Sequence, residues 1–266
     1  VQDKVTGIVL HSDAAASLIN ADPQLARFHI QAAGRLVEHV PDRPLFVQRW
    51  FEFVAMVYVS GGRFQNAAAT VNEALRKFPD TATLYMARAG VAELQVIFNH
   101  PNLRGETIGD NRTRLRVTRA LEAAAADYRR ALELDSASSM ARLRLGWIHV
   151  LLRDGLADRD LALVLQESRD DSIRYLAHLF LGAIAEREKN LLEALRQYEA
   201  ARQAGPFHQT ACVALSHVED ALGYSVRAGE TALECLTLQK ADDPWRRLGP
   251  FDPHIFDWLQ AEARGR

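Results

Sequence analysis

The fold of this chain is decided by the 34 residues from Tyr175 to His208, YLAHLFLGAIAEREKNLLEALRQYEAARQAGPFH. They read as a helix, a short turn, a second helix and a closing proline. Leu181 and Gly182 fall inside the first helix, Ala194, Tyr198 and Ala201 inside the second, and Pro206 ends it. Two antiparallel helices approach closely only where small residues meet. Gly182, Ala194 and Ala201 therefore belong at the crossings, with Leu181 and Tyr198 filling the gaps beside them. Pro206 cannot continue a helix and, with Gly205, stops the second one. A single pair leaves one face bare, so the stretch predicts further pairs packed on it.

Other parts of the chain repeat the spacing. In residues 48 to 81, Phe51, Val54, Ala55 and Tyr58 match the first helix, Gly61-Gly62 the turn, Ala67, Val71 and Ala74 the second helix, and Pro79 the close. A third unit starts with a helix from about Thr81 to Phe98 and ends its second helix with Ala124, Tyr128, Ala131 and Ser136. An insertion, residues 99 to 119, lies between them. Asp110 or Asn111 is placed to cap an extended second helix there, and loops this long inside compact repeats are more often functional. A fourth unit holds Leu145, Gly146 and a helix from about Arg159 to Glu167, with Arg142 and His149 at positions otherwise aromatic. The sixth, after the quoted fifth, carries Leu215, Ser216 and Ala228. Residues 1 to 47 read as a cap or degenerate repeat: no signal through residue 11, a short helix after Ser12 or Asp13, then a helix that Asp22-Pro23 starts. Residues 241 to 266 form a tail. In it Asp252-Pro253 starts an amphipathic helix with Ile255, Phe256, Leu259 and Ala263 on one side, suited to covering the last repeat.

The composition bounds the function. The net charge of −2 gives no global drive towards nucleic acid or anionic membrane, and no apolar run is long enough to span a bilayer. The chain opens on Val1, for which removal of an export signal is one explanation. Its two cysteines, Cys212 and Cys235, stand outside any short paired motif and fall on the two helices of the last pair. Two readings stay open: small buried residues at crossings, or a disulfide that favours export.

These spacings resemble the tetratricopeptide repeat, a helix–turn–helix unit of 34 residues, over about Arg43 to Lys240. The tail segment Asp243-Pro244-Trp245 looks like that of some exported bacterial repeat proteins of unknown role. The resemblance implies an all-α, right-handed α-solenoid of antiparallel helix pairs with a C-terminal capping helix. It also implies a concave groove, lined by the first helices, that binds peptides or partner domains. Carried over by register, the groove positions include Glu52, Met56 and Val59; Met86; Met140, Leu143, Trp147 and Val150; Leu179 and Arg187; and His217. Glu52 and Met56 stand where some relatives hold a basic clamp for a peptide carboxylate, so that chemistry is not expected. All three methionines fall in this set, and their adaptable side chains suit a helix or peptide ligand. Three occupants are consistent with an apolar groove: a partner, the neighbouring core, or the protein's own tail or insertion.

The insertion carries Arg104, Arg112, Arg114, Arg116 and Arg119 against only Glu106 and Asp110. Such a run is either a solvated helix start or a docking patch for an acidic partner. No histidine pair has metal spacing joined to a carboxylate, and no phosphate loop or nucleophile elbow is present, so neither metal, cofactor nor enzyme activity is expected. The sequence therefore reads as a non-catalytic scaffold for a protein or peptide, without nucleic acid or a membrane span. The alternative is a structural subunit of a larger homo- or hetero-oligomeric assembly, so self-association stays open. An exported location is expected over a cytoplasmic one.

Overall fold

The computed structural model describes residues 2–100, 110–238, 243–244, 251–252 and 254–265. Among these the chain is all-α, with thirteen helices and no strand. Two compact units form, residues 1–134 with 249–266, and residues 135–248. Each is a run of antiparallel helix pairs, the packing of an α-solenoid.

The first unit holds three pairs: α1 (Gln2–Leu18) with α2 (Pro23–Val37), α3 (Pro44–Ser60) with α4 (Phe64–Lys77), and α5 (Ala82–Asn99) with α6 (Asn111–Leu134). The second holds α7 (Ser139–Leu152) with α8 (Ala157–Glu167), α9 (Asp171–Arg187) with α10 (Leu191–Ala204), and α11 (Gln209–Ala221) with α12 (Ser225–Thr237). In the quoted stretch Gly182, Ala194 and Ala201 are buried at the α9–α10 crossing, Gly182 directly against the ring of Tyr198. The turns keep the period. Gly155, Lys189 and Gly223 stand 34 residues apart in the second unit, all with the left-handed backbone that a tight helix reversal needs. A polar pair also recurs: Tyr128 Oη donates to the buried Glu93 at 2.9 Å, and Tyr198 Oη to the half-buried Glu186 at 2.8 Å.

The structure departs from the sequence reading in two places. The first helix of the N-terminal region is long, not a short one after Ser12 or Asp13. α1 starts at Gln2, because Val5, Ile8 and Val9 are buried in the first unit's core. Ser12 does not cap a helix; its hydroxyl lies inside α1, donating to Ile8 O and accepting from Trp50 Nε1 at 3.1 Å. The tail helix, α13 (Ile255–Ala263), packs mainly on α1 and α3 in the first unit, not on the last repeat. Its apolar side is seated there, with Ile255 and Leu259 fully buried.

Candidate functional site

The α1–α3 face of the first unit receives α13. Phe46, Arg49 and Phe53 follow one another at helical spacing along α3, so they project on one side. The Phe53 ring stacks on Phe256 with centroids 5.0 Å apart, and Phe46 lies 6.4 Å from Trp258. Arg49 sits between the aromatic and charged parts of the seat. Its guanidinium lies 5.9 Å over the Trp258 ring and pairs with Asp252 at 3.4 Å and Glu52 at 3.2 Å. The C-terminal end of α13 is held by polar groups. Arg43 pairs with Glu262 at 3.6 Å, and the Gln2 amide donates to the carbonyls of Glu262 and Ala263, satisfying acceptors that a helix end leaves open.

Glu52 is the charged residue at the bottom of this face. Burial pushes its carboxyl above the usual range, opposed by a hydrogen bond from Thr83 and by the nearby Arg49 charge. Replacing water with one hydroxyl and one guanidinium keeps a buried carboxylate tolerable without freeing it for a ligand.

The residues placed in the groove by register divide between two environments. In the first unit, Met56 and Val59 are partly buried on the core that α13 also covers, and Met86 is half-buried. In the second unit, Leu143, Trp147, Val150 and Leu179 are buried in direct α7–α9 packing, with Trp147 and Phe180 4.7 Å apart, instead of lining an open channel. Met140 is half-buried beside them. Arg187 turns inward and donates to Val150 O at 3.1 Å. His217 stays exposed and pairs with Glu186 at 2.9 Å. The reason is steric: adjacent first helices approach closely enough for large apolar side chains to meet each other.

The sequence reading did not single out Gln2, Phe46 or Phe53. The two phenylalanines were legible as an i, i+7 pair on α3. Nothing local marks Gln2, which acts across the whole length of the chain. Cys212 and Cys235 form a disulfide, with Cα atoms 5.7 Å apart. Arg112, Arg114 and Arg116 are exposed on α6, while Arg104 lies outside the described residues. Among the described residues no group of three or more His, Cys, Asp or Glu side chains is arranged to hold a metal ion, and no helix is long and apolar enough to cross a membrane. The buried His149 Nδ1 donates to Asp160 Oδ2 at 2.6 Å inside the α7–α8 pair.

Residues 55–97 match the family model of the tetratricopeptide repeat. No curated protein matches the sequence. Among solved structures, a tetratricopeptide repeat protein from Parabacteroides merdae is 15% identical, covers 97% of this chain and 86% of its own, and has a TM-score of 0.59. Human IFIT1, solved as a dimer with m7Gppp-AAAA, is 14% identical over 86% of this chain with a TM-score of 0.55. The same protein with PPP-AAAA gives 0.53. This chain spans 54% of the IFIT1 chain's length. At these identities the likeness is one of fold.

Proposed function

We propose, from the premise that this chain is a tetratricopeptide-repeat protein, that it is a non-catalytic scaffold whose α1–α3 face holds an amphipathic helix of a protein partner. The observation that carries this reading is the seating of α13. Two buried aliphatics, two aromatic pairs and three polar clasps hold a helix on a first-helix face. That is the helix-in-groove mode of recognition, with the protein's own tail as resident. A partner helix with the same pattern takes the seat when the tail leaves it. The Cys212–Cys235 disulfide supports an oxidising, exported location. The net charge of −2 supports a protein rather than a nucleic-acid partner.

The test is affinity capture from native material with the full chain and with a chain ending at Pro250. The shortened chain should retain a partner at stoichiometric yield, and a synthetic peptide of residues 251–266 should displace it. A partner indifferent to that peptide would show that the α13 seat is not the binding face.

A second reading, a subunit of a larger assembly, is favoured by α12. Val226, Leu233 and Leu236 are 81%, 69% and 78% exposed. With Gly229, beside which there is open space, they follow i, i+3, i+7, i+10, the seam of a helix-to-helix contact. A molar mass that rises with concentration, and that Leu233→Glu abolishes, would favour this reading.

A further inference from the structure

The first two turns of α6 are built against the interest of the helix. Its 24 residues exceed the 14 of α4, the 14 of α10 and the 13 of α12. The excess lies at its start, since Val117 is its first buried residue. A helix N-terminus carries partial positive charge and is stabilised by acids. Here the first turn holds no acid, and Arg112, Arg114 and Arg116 crowd the first two turns. Asp110 supplies the cap, accepting from Thr113 N at 2.8 Å. Arg112, Arg116 and Arg119 recur at i, i+4, i+7, so they form one exposed ridge. None of the three has an acidic partner within ion-pair distance among the described residues, whereas Arg130 near the end of the same helix and Arg196, Arg202 and Arg227 on other second helices are all paired. The Asp110 carboxylate offsets part of this charge, its pKa lowered chiefly by its hydrogen bonds to Thr113 and in smaller part by Arg116; local rules broken with so little internal compensation mark functional positions.

A second observation lies beside the ridge. A cavity of about 210 Å³ opens between the end of α5 and the start of α6, and Gln95, Asn99, His100 and Arg116 are among its walls. Three amide or ring side chains and a guanidinium converge there, which is donor chemistry for a carboxylate. Exposed Phe98 and Leu115 flank the site with apolar surface.

We propose that the overhanging start of α6 is a docking site for an acidic helical segment of a partner protein, with carboxylates at i, i+4, i+7 against Arg112, Arg116 and Arg119 and one acidic side chain entering the Gln95–Asn99–His100–Arg116 cavity. The ridge spacing matches carboxylates on a helix turn for turn. Nucleic acid fits less well: three aligned cations on a chain of net charge −2 are a small basic footprint, and the flanking residues are apolar. The site is separate from the α13 seat, so it stands or falls independently of the scaffold reading above.

The test is fluorescence anisotropy at low ionic strength with the full chain and a labelled Ala-rich helical peptide of ~20 residues, its glutamates set at i, i+4, i+7. The full chain should bind it. A chain with Arg112→Glu, Arg116→Glu and Arg119→Glu should bind about tenfold or more weakly, three exposed ion pairs being lost and replaced by repulsion. Glutamate in those turns suits the helix dipole, so the variant's thermal midpoint should hold or rise. The same peptide with lysine for glutamate should bind the variant, and Arg76→Glu should leave the original binding unchanged. Failure of the full chain to bind the glutamate peptide, equal binding by the reversed variant, or tighter binding of single-stranded oligothymidine of equal length would overturn the proposal.

Discussion

Tyr175 Oη donates to the carboxylate of Asp243, standing 3.1 and 3.2 Å from its two oxygens. The same oxygen accepts from Ala211 N at 3.3 Å, and Asp243 also accepts from Thr210 N at 2.7 Å. Asp243 is fully buried. It supplies from a distance the cap that α11 lacks locally, since His208 makes no side-chain cap bond. Burial and the Asp243 charge raise the Tyr175 phenol above its ordinary pKa, so it stays a donor throughout the neutral range. Asp243→Ala leaves both donors stranded and should lower stability by about 3 kcal/mol. Asp243→Asn, which keeps an acceptor, should cost visibly less in urea unfolding.

Gly182 permits the closest approach in the quoted stretch. A methyl group there would overlap the ring of Tyr198, which is 3% exposed and has no room to withdraw. Gly182→Ala should therefore destabilise the protein by about 1–3 kcal/mol despite the better helix propensity of alanine. Gly229→Ala, at an open position on α12, should be neutral or stabilising by up to about 1 kcal/mol. Thermal melts of the two variants should move apart.

Ile255→Asp places a charge in the fully buried heart of the α13 seat. The tail should leave it and uncover Phe46 and Phe53, with a large rise in the fluorescence of an apolar dye and little change in helicity. Unchanged dye binding would mean that the seat does not depend on this contact.

His178 sets a pH dependence. Burial, with a smaller contribution from Arg174, holds its pKa below the ordinary 6.5, against the hydrogen bond to Gln197 at 2.8 Å. Between the folded and ordinary values the unfolded chain binds the proton and the folded chain does not. The contribution is complete above about 6.5 and is lost as pH falls towards the folded value. His178→Gln should flatten this acid slope in stability measured from neutral pH to about 5.

The disulfide closes a sequence separation of 23 residues across the last pair. Reduction should lower stability by about 3 kcal/mol on the chain-entropy account. The loss should be confined to the α11–α12 region in hydrogen exchange, because these helices bury few large side chains.

Helix pairing was legible because it rests on local chemistry. Small residues at crossings, glycines at turns and prolines after helices need only their near neighbours to act. The start of α1 was not legible. Its apolar residues face a core assembled from α2, α3 and α13, and its own periodicity is too weak to announce that. The groove residues were placed by register, which fixes the helix side a residue occupies but not what stands opposite it. Trp147 and Phe53 both lie on first helices; one meets a neighbouring helix and the other meets the tail.

The sequence alone determined that Tyr175 to His208 is a helix pair and that pairs like it fill most of the chain, because spacings of three and four residues are set by the helix itself. Tertiary structure decided where α13 goes, that Cys212 meets Cys235, and that Asp243 caps α11. Those contacts join residues 23 to more than 200 positions apart. No local rule selects such partners; the close packing of the finished core does.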